Sequence, residues 1–181
     1  MPSLRFPTVS DLYEAFPAAK DDVGADPGNE PPLTFLHSLL EKESWDKAVS
    51  FCAYLLPRRE SVWWGCQSLR RVKAQFPPAE LAALDAAEAW VREPEESLRR
   101  AALAVGNQND GALPAVWMAL AAGWSGGSIV PPEYSAVQAP PHQTARAVRT
   151  GILISMSQLP TAEIPRLIRP CIESGIELAS G

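Results

Sequence analysis

The chain has 181 residues, with 16 Lys+Arg against 21 Asp+Glu, a formal net charge of -5 and 46% hydrophobic residues. That is enough apolar material for one domain with its own core, and the acidic balance excludes nucleic acid as the main partner, because affinity for phosphate needs a basic surface. Two histidines and three cysteines leave little material for metal or nucleophilic chemistry.

Thr8 is placed to cap a short helix over 9–16, with Asp11 in its first turn and Pro17 closing it. Residues 20–32 then read as an acidic, turn-rich linker. A helix over 33–42 carries Leu36, Leu39 and Leu40 on one stripe, and Ser44 stands as the cap of the next. There Trp45, Ala48, Val49, Cys52 and Leu56 share a face until Pro57. In the following helix, 58–75, Val62, Cys66, Leu69, Val72 and Phe76 form the buried side. Gly65 on that side permits close approach of another helix.

Pro78 and Pro94 each suit a helix first turn, and 106–111 is a loop. Residues 112–124 are Ala-rich and helical. A long Gly/Pro-rich stretch, 125–141, interrupts the pattern before a helix from about His142. Thr161 caps a last helix with Ile164, Leu167, Ile168, Cys171, Ile172 and Ile176 on one stripe, and Pro170 in its interior predicts a kink or a split. No strand alternation is present. The pattern predicts an all-α fold: a compact helical domain of about seven to nine short helices packed as hairpins, spanning 33–181, preceded by a short helix and linker over 1–32.

Several residues invite a chemical reading. Gly123-Trp124-Ser125-Gly126-Gly127 matches the nucleophile-elbow pattern, and Glu133 and His142 follow in hydrolase order. An elbow needs a strand before the serine, whereas a helix precedes it here, so a serine hydrolase using Ser125 is disfavoured. His37 and His142 have no second ligand at metal spacing. The carboxylates Glu93, Glu95 and Glu96 suit a helix start, and the pairs Arg58-Arg59, Arg70-Arg71 and Arg99-Arg100 suit local carboxylate contacts. No catalytic residue, cofactor, metal or small-molecule substrate is therefore expected.

Trp63 and Trp64 are consecutive and diverge by about 100° on a helix. Either the helix is central and packed on both sides, which is the favoured reading, or one ring is exposed and marks a binding patch. Trp45, Trp90 and Trp117 fit helix faces and are expected in the core. The segment around Pro131-Pro132 reads as an extended ligand strand or as a rigid connector clamped over the helices.

Three blocks carry a resemblance. Val62-Trp63-Trp64-Gly65-Cys66, then Trp124-Ser125-Gly126-Gly127-Ser128 with Pro131-Pro132, then Pro140-Pro141 leading into Thr144-Ala145-Arg146-Ala147-Val148, resemble a bacterial family of small helical proteins. Its members look like companions of type VI secretion effector loci. The resemblance implies an accessory or co-chaperone role and brings no catalytic residues. The function expected is a cytoplasmic, non-catalytic adaptor that holds a chaperone or effector. Its expected contacts are Trp64 and the loop of Trp124, Ser125, Gly126, Gly127, Ser128, Pro131, Pro132 and Tyr134, with the 20–32 linker as a second arm. The alternative is an immunity protein covering a basic toxin, for which an acidic surface is suited. No membrane contact is expected, since no apolar run approaches about 20 residues.

Overall fold

A computed structural model describes residues 4–181. Its secondary structure is helical throughout, with no named β-strand among the described residues. The order is α1 (Val9–Ala15), α2 (Pro17–Val23), α3 (Pro32–Glu41), α4 (Trp45–Leu55), α5 (Arg58–Val72), α6 (Pro78–Arg92), α7 (Glu96–Asn107), α8 (Val116–Gly123), α9 (Gln143–Ser157) and α10 (Ile164–Ser180), the last entered through a 3₁₀ turn at Thr161–Glu163.

The proline and cap assignments explain most boundaries. Thr8 and Asp11 form a reciprocal capping box: Asp11 N–H donates to Thr8 Oγ1 at 3.2 Å, and Thr8 N–H donates to Asp11 Oδ2 at 2.9 Å. Pro17, Pro32 and Pro78 occupy the first turns of α2, α3 and α6, where a missing N–H costs no helical bond.

Two boundaries differ from expectation. Part of the predicted 20–32 linker is helix, since α2 runs to Val23 and ends at Gly24 in the left-handed region, φ 65°. Phe6, Val9, Leu12, Phe16, Ala19 and Val23 share one core cluster with the later helices. The predicted kink or split at Pro170 does not divide α10, which stays helical from Ile164 to Ser180. Pro170 deprives the Arg166 carbonyl of its helical partner, and Arg166 is exposed, so water can take that bond.

The molecule is built around α4 and α5. Residues Ala48, Val49, Ser50, Phe51, Cys52, Ala53, Tyr54 and Leu55 are all buried, so α4 is enclosed on every side rather than along one stripe. Helix α5 touches α4, α6, α8, α9 and α10, but it is not covered on every side: of the paired tryptophans, Trp64 is buried and Trp63 is exposed. Close approach comes from small residues. A Cβ on Gly65 or Gly151 would run into Met118, so α8 seats this side chain between α5 and α9. A Cβ on Gly123 would lie 2.7 Å from Leu103 Cβ, bringing α7 and α8 nearly into backbone contact.

Candidate functional site

The loop between α8 and α9 is ordered from its base. Three arginines from two helices hold its backbone carbonyls. Arg58 at the start of α5 donates to Ser125 O at 2.6 Å and Pro141 O at 3.4 Å, pinning both ends of the loop. Arg99, only 4% exposed, donates to Gly123 O and to Ser128 O, the latter at 2.8 Å. Arg100 donates to Val130 O at 3.1 Å. Glu96 orients the last two: its carboxylate takes paired bonds of 2.7 Å from Arg99 and one of 2.8 Å from Arg100. Those guanidinium hydrogen bonds, Arg99's first, hold the Glu96 carboxyl below its usual range.

Gly127 turns the chain here with φ 63°, and a Cβ on it would stand 3.0 Å from both Arg99 Nη2 and Glu96 Oε2. Ser128 closes the loop internally, because its hydroxyl accepts from Val130 N–H at 3.3 Å and Val137 N–H at 3.2 Å. Ile129 N–H donates to Val137 O at 2.7 Å, and an antiparallel bridge joins Ser128 to Gln138. Trp124 packs edge-on against Trp117 with ring centroids 6.5 Å apart. Beyond these ties the tip is open. Pro131 and Pro132 are exposed, Tyr134 is 66% exposed, and Val137 is exposed beside it.

The structure therefore brings together the predicted loop residues and separates Trp64 from them. Trp64 is 1% exposed, and its indole N–H donates to Cys171 O of α10 at 2.7 Å. It is a core residue, and its expected role as an exposed contact is corrected: five helices around α5 leave no outward face at that position. The exposed ring is Trp63, at 36%. Of the other tryptophans expected in the core, Trp90 is buried, while Trp45 and Trp117 are half-buried.

The residues sequence reasoning undervalued are Glu96, Arg99 and Arg100. Their i,i+3 and i,i+4 spacing on α7 was the available signal. Ser125 Oγ donates to Ala122 O at 2.6 Å in the last turn of α8, and no hydrogen bond joins it to His142 or Glu133 among the described residues.

The predicted acidic arm is also reassigned. Asp22 accepts from Tyr54 Oη at 2.5 Å and from Arg146 Nε and Nη2 at 2.9 and 3.0 Å, while Arg149 donates to the Asp22 carbonyl at 3.1 Å. Burial pushes the Asp22 carboxyl up, but the hydrogen bonds from Arg146 and Tyr54 outweigh it and hold the group below its ordinary 3.8. The N-terminal segment is thereby latched to α4 and α9 and is not a free arm.

A second concave surface lies between α5 and α10, a groove of about 610 Å³ with Trp63 and Leu178 at one end and Arg71 at the other. Cys52, Cys66 and Cys171 are buried free thiols, raised above their ordinary pKa by burial.

Fold and loop define a class: an all-helical protein that presents one arginine-clamped loop from a close-packed core. Residues 35–179 match the family described as a family of unknown function, DUF6931, and the chain belongs to that family. No curated protein and no solved structure matches it. No helix is long and apolar enough to cross a membrane among the described residues.

Proposed function

We propose that this protein is a non-catalytic protein-binding adaptor or co-chaperone whose contact surface is the tip of the 124–141 loop. One observation carries the reading: the base of the loop is held by Arg58, Arg99 and Arg100, while Tyr134 and Val137 at the tip face solvent. A loop already fixed in shape loses little conformational freedom when a partner closes over it, and exposed aromatic side chains are the commonest anchors of such contacts. The setting suggested by the block resemblance is type VI secretion, with a chaperone or effector as partner in the cytoplasm.

Co-expression with the products of neighbouring genes tests this reading. A stable complex that is weakened about tenfold or more by Tyr134→Ser with Val137→Ser supports it, given the usual cost of losing a central aromatic contact. A monomer that binds none of those products, or a complex indifferent to both changes, overturns it. The net charge of -5 favours a second reading, an immunity protein bound to a basic toxin. Protection of cells from a neighbouring toxin would select that reading; altered stability or export of an effector would select the first.

A further inference from the structure

We propose that the groove between α5 and α10 binds a short apolar peptide in its zwitterionic form, with the peptide carboxylate at Arg71 and its ammonium at Glu177. The site shares no residue with the loop, so it stands or falls independently of the adaptor reading.

The two helices meet closely along their inner sides. Trp64 Nε1 donates to Cys171 O at 2.7 Å, Cys171 Sγ lies 4.0 Å from Ser68 O, and a Cβ on Gly175 would collide with Cys52 and crowd the Trp64 indole. These pairings, early α5 with late α10 and late α5 with earlier α10, make the helices antiparallel. On the outer side they open into the groove of about 610 Å³, within the range of pockets that hold small ligands.

The lining is apolar near one end, where Trp63 and Leu178 are exposed, and it carries a charge of each sign. Neither charge has a protein partner. Arg70 next door is committed to Glu88 at 2.6 Å and Asp85 at 3.4 Å, but Arg71 makes no hydrogen bond or ion pair among the described residues, and neither does Glu177. The register explains why they do not neutralise one another. Arg71 stands a turn beyond Ser68, whereas Glu177 lies on the Trp63 side of Gly175, so their backbones are roughly 15 Å apart along the groove.

Between the two charges the floor offers the Gln67 amide. An extended tripeptide spans about 10 Å, and the reach of the arginine and glutamate side chains closes the remainder. Its apolar side chains would cover Trp63 and Leu178, its peptide groups would meet Gln67, and its ammonium would sit beside both Glu177 and the Trp63 ring.

Trileucine, its N-acetylated form and its C-terminal amide provide the test, titrated into the full chain and followed through the side-chain NMR signals of Trp63 and Gln67. Free trileucine is expected to bind saturably, and each cap to weaken binding about three- to fivefold, the scale of a single exposed ion pair. Arg71→Gln should erase the difference between acid and amide and keep that between amine and acetyl; Glu177→Gln should do the reverse. Both residues are exposed, and an unchanged helical circular dichroism spectrum and melting temperature establish that the variants fold. Equal affinity for the three peptides, shifts centred away from the groove, or no saturation by about 10 mM would overturn the proposal.

Discussion

Residues 20–32 and 124–141 are both broken by glycine and proline, yet the balance of side-chain and main-chain ties that hold them differs. In the first, the Asp22 carboxylate takes Arg146 and Tyr54, while Arg149, Lys47 and Tyr13 donate to the carbonyls of Asp22, Gly24 and Ala25. In the second, the arginines grip main-chain carbonyls and Trp124 and Ile129 pack against the core, while the side chains of Pro131, Pro132 and Tyr134 at the tip stay exposed. The first arrangement adds one side-chain carboxylate to its main-chain ties. The second depends on a path of the backbone, so the side chains at its tip are free to be chosen for something else.

The contrast can be broken most severely at Arg99. Arg99→Ala leaves the carbonyls of Gly123 and Ser128 without their donor in a buried site, and a loss of about 3 kcal/mol is expected by urea denaturation. Hydrogen exchange of the Ile129 amide should accelerate in the same variant, since its bond to Val137 O depends on the clamped base.

Asp22→Asn probes the other anchor and should cost about 2 kcal/mol at neutral pH, a charged network only partly shielded from solvent. Its pH dependence has a definite sign. The folded carboxyl lies below its ordinary 3.8, so its contribution is complete above that value and is lost as pH falls through the lower, folded pKa. The stability gap between the parent protein and Asp22→Asn should therefore narrow only below about pH 4. A gap that persists unchanged into stronger acid would remove Asp22 as the anchor.

Glycine gives a finer comparison. Gly24 and Gly127 share a left-handed backbone, but a Cβ on Gly24 meets nothing within 4 Å, while one on Gly127 meets the Arg99–Glu96 pair. Gly24→Ala should cost about 1 kcal/mol from backbone strain alone, and Gly127→Ala about 2 kcal/mol. Equal costs would mean that the arginine clamp yields freely. The smallest effect is expected at the tip: Tyr134→Ser should change stability by no more than about 0.5 kcal/mol, as for other surface changes.

Much of the architecture could be read from periodicity and punctuation. The apolar stripes set the all-α class, and prolines with the Thr8 cap marked helix edges, because those signals act within a turn of the residue that carries them. What escaped were contacts made at long range. Asp22 meets Tyr54 across 32 positions and Arg146 across 124, so nothing local distinguishes an acidic linker from a helix end with a distant partner. Trp64 escaped for a related reason. A helical wheel finds one inner face, but a helix that touches five others has several, and the position of α10 decides which of the two rings is covered.

The bond from Trp64 to Cys171 spans 107 positions, and it dates the completion of the core during synthesis. Helices α4 and α5 emerge from the ribosome long before α10, and until α10 arrives the flank of Trp64 and Cys52 lies bare. A nascent chain stalled anywhere before residue 171 presents a large apolar indole to its surroundings, the kind of surface that chaperones and proteases recognise.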